Sequence, residues 1–136
     1  MFALLEHDTS TAAGVTPAGR GRHWDLLVEV PGCERLPTWR LARNPLADTG
    51  EIPAQRIGDH RRLYLEYEGE ISGGRGLVRR IDAGAATIAG LEDDRLVVVL
   101  AGRHLRGPFE IAAGFSGEMV FRRAREGSRP GAGLPI

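Results

Sequence analysis

His23 and Asp25 lie two apart in one short run and set an imidazole beside a carboxylate. The run, HWDLLVEV over residues 23–30, alternates. His23, Asp25, Leu27 and Glu29 fall on one side; Trp24, Leu26, Val28 and Val30 fall on the other. A period of two is that of a strand, whose successive side chains point to opposite faces. The wholly apolar side belongs in the core, so the His/Asp side faces either solvent or a cleft. An imidazole next to a carboxylate is half of a divalent metal site. Such a donor pair suits Mn, Zn or Fe, and completion by further oxygens would favour Mn or Mg. By spacing alone the pattern reads more simply as a surface strand with a polar outer face; a cleft needs partners from elsewhere in the chain.

Two other histidines stand where such partners would be found. His7, in Glu6-His7-Asp8, closes the first apolar run, and His60, in Gly58-Asp59-His60, precedes another with Tyr64 four residues on. Each, taken singly, reads as a solvated residue at the end of an element. His104, in Gly102-Arg103-His104, reads as a turn residue. The chain has no Cys-x-x-Cys, no Walker-type phosphate loop and no Gly-x-Ser-x-Gly. Ser72-Gly73-Gly74-Arg75-Gly76 is glycine-rich, but no helical period follows it, so it reads as a tight turn.

The elements that must position these groups are strands. Runs at residues 2–7, 23–30, 36–43, 63–68, 76–81, 86–89, 95–100, 109–113 and 118–122 have strand character. Residues 8–22 and 44–59 read as connections, the second with room for a short helix within 46–58. Asp82-Ala83-Gly84 reads as a hairpin turn. About nine short strands with regular turn signals predict an all-β chain: a small β-barrel with short helical or irregular connections. Residues 1–125 are expected to form one domain, and residues 126–136, rich in Gly and Pro, a flexible tail.

Composition narrows the setting. Eighteen basic and eighteen acidic residues cancel, so net charge gives no support for nucleic-acid binding. Every basic residue is arginine, whose planar, always-charged fork binds phosphate well. Arg61-Arg62, Arg79-Arg80 and Arg103/Arg106 are clusters that could form a local phosphate-binding face. The single cysteine, Cys33, excludes an internal disulfide. No apolar run reaches the ~18 residues of a membrane span, and residues 1–7 lack the basic start and cleavage site of a signal peptide. These features predict a cytoplasmic protein with no membrane partner.

Taken in order, EHD, HWDLLVE, WRLAR, DH with a tyrosine four on, YEG-x-I-x-x-G-x-G and L-x-G-x-x-LRG resemble the 3′-phosphoesterase domain of bacterial DNA ligase D. The resemblance spans about residues 2–113. It implies a small β-barrel with its site in a cleft, and a manganese-dependent enzyme that trims 3′ ends of DNA or RNA-tipped DNA in end joining and repair. It implies His7, His23 and Asp25 as metal ligands, His60 as a contact to phosphate, Tyr64 beside it, and Arg43 where the family carries a lysine. Nucleic-acid 3′ ends, and a repair ligase or polymerase, are the implied partners. Two family arginines have no counterpart. One, two residues after the metal aspartate and taken to hold the scissile phosphate, is Leu27 here; the other has no match near Ile52-Pro53. Arg40, Arg43, Arg62 or Arg75 are the candidates to replace that clamp. If none does, the expectation becomes a module that binds nucleic-acid ends or phosphate without useful catalysis. An unrelated metal-binding barrel of the cupin type would show two glycine-rich motifs and a tighter histidine set, which the chain lacks.

Overall fold

The computed structural model describes residues 1–9, 21–71 and 75–124. The centre of the 8–22 connection, Ser72-Gly73-Gly74 and the tail from residue 126 lie outside the described residues. The strands are β1 (Phe2–Asp8), β2 (Arg22–Val28), β3 (Leu36–Leu41), β4 (Ile52–His60), β5 (Gly69–Glu70), β6 (Leu77–Glu92), β7 (Arg95–Gly102), β8 (Arg106–Ala113) and β9 (Met119–Arg123). They form one antiparallel sheet in the order β1-β2-β3-β4-β9-β8-β7-β6-β5. An additional β1–β6 pairing closes the sheet into a ring, with β5 appended to β6. The all-β expectation therefore holds, and closure removes the open edges that a sheet of this size would otherwise expose.

Alternation sorts the side chains into two layers. Phe2, Leu4, Leu26, Val28, Trp39, Leu41, Leu96, Val98, Leu100, Phe109, Ile111 and Phe121 fill the interior. The intervening residues of β1, β2 and β3 point outward, yet they are buried too. Ala3, Leu5, Leu27 and Leu36 join Val78 in a second cluster, covered by Tyr64, Leu65 and Ile71. Both faces of β1 are thus covered, which is why Phe2–Leu5 is apolar at every position. The outward side of β2 is the roofed one, and the candidate site lies at the edge of that roof.

Three expected elements differ. Residues 44–59 were expected as a connection because Asn44-Pro45, Thr49-Gly50 and Ile52-Pro53 are turn signals. Ile52–His60 is instead a full strand, β4, between β3 and β9. Pro53 sits second in it, where a missing N–H disrupts least of the ladder. Residues 63–68 alternate but do not form a strand: Arg62–Leu65 is a single 3-10 turn. The expected hairpin at Asp82-Ala83-Gly84 is absent. The chain runs straight through it as the 16-residue β6, and the reversal comes later, where Glu92 pairs Arg95.

Gly84 and Asp82 explain that misreading. Gly84 pairs with Phe2 on one side and Gly102 on the other, where β6 exchanges β1 for β7. A Cβ there would lie 2.2 Å from the Ala101 carbonyl oxygen, so glycine serves close approach rather than a turn. The buried Asp82 carboxylate accepts from the amides of Arg103 (2.7 Å) and Leu105 (2.7 Å), and from His104 (3.2 Å). It holds the β7–β8 turn, and His104 is a turn residue as expected.

Candidate metal centre

Cross-strand register assembles the cluster. His7 of β1 pairs directly with His23 of β2, and Asp25 of β2 with Arg40 of β3. One ligand atom each from His7, His23 and Asp25 lies within 4.8 Å of the others. His7 Nδ1 is 2.9 Å from His23 Nε2, and His23 Nε2 is 3.7 Å from Asp25 Oδ2. The His/Asp face is therefore the wall of a cleft, with Asp25 only 3% exposed.

The outer ring nitrogen of His7 settles its tautomer. His7 Nε2 lies 2.8 Å from the Arg75 carbonyl, which can only accept. Nε2 therefore carries the hydrogen in the neutral ring, and the Nδ1 lone pair faces His23 and Asp25. A carbonyl behind an imidazole is the usual device that aims a metal-binding nitrogen. The carbonyl is held in place by Gly76, whose φ is +102° and where a Cβ would meet the Asp8 carbonyl oxygen at 2.3 Å. Gly76→Ala is expected to cost about 1–3 kcal/mol through the strained backbone. By displacing the Arg75 carbonyl it should also weaken metal binding about 10–100-fold, read by titration with Mn²⁺ or Zn²⁺.

Burial pushes the His23 imidazole down from the ordinary 6.5 to about 4. Asp25 pulls it up, while Arg40, His7 and His60 lower it further. His23 is thus neutral at physiological pH, the form in which it can ligate. The same shift predicts a pH dependence. Between pH 6.5 and 4 the unfolded chain binds a proton at this position that the folded chain resists. Stability from this group is complete above pH 6.5 and is lost as pH falls toward 4. The unfolding free energy of metal-free protein should fall across this window, by less than about 1.4 kcal/mol per pH unit since His23 keeps some solvent contact, and the thermal midpoint should fall with it. His23→Gln should show a visibly shallower fall in the same thermal melts.

His60 is the third histidine at the site. Its Nδ1 is 3.2 Å from the Gly58 carbonyl, so Nε2 points inward, 3.9 Å from Asp25 Oδ2. Tyr64 stands beside it, with ring centroids 5.6 Å apart and planes at 80°. Four residues of strand would separate them by about 13 Å; the 3-10 turn at Arg62–Leu65 is what folds one against the other. His7, Asp25, His60 and Tyr64 line one cavity of about 330 Å³, within the size range of small-ligand sites. His23 borders a smaller groove of about 260 Å³, with Arg40 on the boundary between the two.

The arginines distribute unevenly. Arg40 donates to Asp25 through Nε at 3.1 Å and so orients the carboxylate from behind. Arg75 lines the cavity. Arg43 is not brought to the cluster: it binds Asp48 and the Glu51 carbonyl. Arg62 is also turned away, paired with Glu29. Leu27, at the position of the missing family arginine, is fully buried in the outer apolar cluster under the Tyr64 segment. Sequence reasoning missed the Arg75 carbonyl, since a backbone acceptor leaves no mark in the sequence. It also missed Arg35, a cavity residue in the turn before β3.

No helix among the described residues is long and apolar enough to cross a membrane. Neither a family model nor a curated protein matches the chain.

Proposed function

We propose that this chain is a metal-dependent phosphoesterase acting on 3′ ends of DNA or RNA-tipped DNA, in the manner of the ligase D domain that its motifs resemble. The observation that carries the proposal is the convergence of His7, His23 and Asp25 within 4.8 Å, two of them, His7 and Asp25, on the wall of the cavity that also receives His60 and Tyr64. Two imidazoles and a buried carboxylate, one imidazole aimed by a carbonyl and the other neutral, form a donor set that fits Mn or another divalent ion. A divalent ion held by these three side chains would polarise a phosphoryl oxygen and offset charge in the transition state.

The protein's own groups account for the remainder. Arg40 orients Asp25 by donating to its carboxylate. His60 presents Nε2 to the cavity, where it can contact a phosphoryl oxygen or pass a proton to a leaving oxygen. Tyr64 packs edge-on against the His60 ring and limits its rotation. The buried Leu27 favours a second reading, a module that holds phosphate-bearing ends without turnover, because no charged side chain reaches the cavity from that position.

The test is a primer carrying a 3′-phosphate, incubated with the protein and Mn²⁺. Phosphate release that exceeds the rate of an Asp25→Ala control and stops on adding a chelator is the expected result. Binding of the primer with no release favours the second reading, and neither binding nor release removes both.

A further inference from the structure

We infer that Arg35 and Arg61 together form a seat for a dianionic phosphomonoester, beside the histidine–aspartate cluster. β3 and β4 pair Leu36 with His60. Arg35 precedes Leu36 and Arg61 follows His60, at the end of that ladder. Both line the same 330 Å³ cavity as His60 and Asp25. Among the described residues neither guanidinium has a carboxylate partner, whereas Arg40, Arg43, Arg56, Arg62 and Arg79 each do. Arg61 instead lies against the Tyr64 ring, 5.9 Å from its centroid.

The charges of the cavity wall point the same way. Arg35, Arg40, Arg61 and Arg75 bring four positive charges, Asp25 and Asp59 two negative ones, a surplus of two before any metal is counted. Asp25 and Asp59 are already engaged by Arg40 and Arg56. In a chain of zero net charge this is a local concentration of cation, built where an anion would enter. Two planar forks on the wall of one cavity can grip several oxygens of one phosphate. Their double charge favours a terminal monoester, which carries close to two negative charges, over an internal diester, which carries one. The seat would supply the anion contact that Leu27 cannot.

The identification of the seated group as the end of a substrate rests on the phosphoesterase reading; the anion seat itself is tested without it. Metal-free protein is titrated with inorganic phosphate and, separately, with dimethyl phosphate, by calorimetry at low ionic strength. Wild type should bind phosphate. Arg35→Gln and Arg61→Gln should each weaken it about tenfold, and the double variant about 100-fold. Dimethyl phosphate should bind much more weakly and respond little to either change. Arg61→Lys, which keeps the charge but not the fork, should fall between wild type and Arg61→Gln, and it serves should a glutamine variant fail to fold. Phosphate affinity unchanged in the double variant, or absent from wild type, overturns the inference. Since the probe needs neither metal nor turnover, a failed primer assay leaves this result standing, and the reverse also holds.

Discussion

Asp25→Asn should abolish metal-dependent activity and lower divalent-metal affinity by about 100-fold or more. The size follows from the site's construction. Displacing an outer partner of a metal ligand already costs about 10–100-fold, and this substitution removes the one anionic member of a three-residue set. The remaining imidazoles are neutral donors and cannot offset the ion's charge. Asparagine keeps the shape, so the fold should survive, but Arg40 loses its counter-charge at 3.1 Å. Arg40 is partly exposed, and solvent therefore limits the stability cost to about 1 kcal/mol. Calorimetric titration with Mn²⁺, paired with a thermal melt, separates the two effects. A variant that unfolds near wild type yet binds no metal matches the expectation. Unchanged affinity would mean that the carboxylate serves Arg40 alone.

His60→Gln should leave metal affinity within about twofold of wild type and reduce kcat on a 3′-phosphate primer by about 10²–10⁴. His60 approaches Asp25 but stands outside the three-residue cluster, with Nε2 directed into the cavity. Glutamine can still donate a hydrogen bond but cannot exchange a proton at working pH. Loss of kcat at constant metal affinity marks a group that meets the reacting phosphate. Equal loss of both would instead make His60 a ligand, and no loss would leave it a wall residue. Single-turnover rates measured at saturating Mn²⁺ make the distinction.

Where sequence and structure agree, the reason is local. Residues 23–28 form β2 as their alternation requires, because a roofed outer face and a filled interior impose the same period on both sides. β1, β7 and β9 follow for a similar reason: their apolar runs are bounded by polar residues. The disagreements arise where distant chain segments decide. β4 carries two glycine or proline breaks yet is held by ladders on both flanks, and no local pattern records those ladders. β6 contains an Asp-Ala-Gly that looks like a turn, while Asp82 caps amides 21 to 23 residues away and Gly84 lets Ala101 approach.

The site divides along the same line. His23 and Asp25 share a strand face, so their proximity was legible; the approach of His7 needed the β1–β2 pairing and that of His60 the β3–β4 pairing. Tyr64 was placed beside His60 by resemblance, but the 3-10 turn that brings them together hides behind an alternating Leu-Tyr-Leu-Glu-Tyr-Glu run. Arg43 looked well placed because it keeps a positive charge at a family position, yet Asp48, five residues on, captures it. Arg35 carries no signal at all until the fold brings it to the same cavity as Arg61.

Equilibrium dialysis of the wild-type chain and of His7→Gln, His23→Gln and Asp25→Asn against Mn²⁺ or Zn²⁺ puts the metal centre to the most direct test. One ion per wild-type chain, lost or greatly weakened in each of the three variants, is the expected result. An ion retained with equal affinity in all three, or none bound by the wild type, would contradict the site and with it the proposed chemistry.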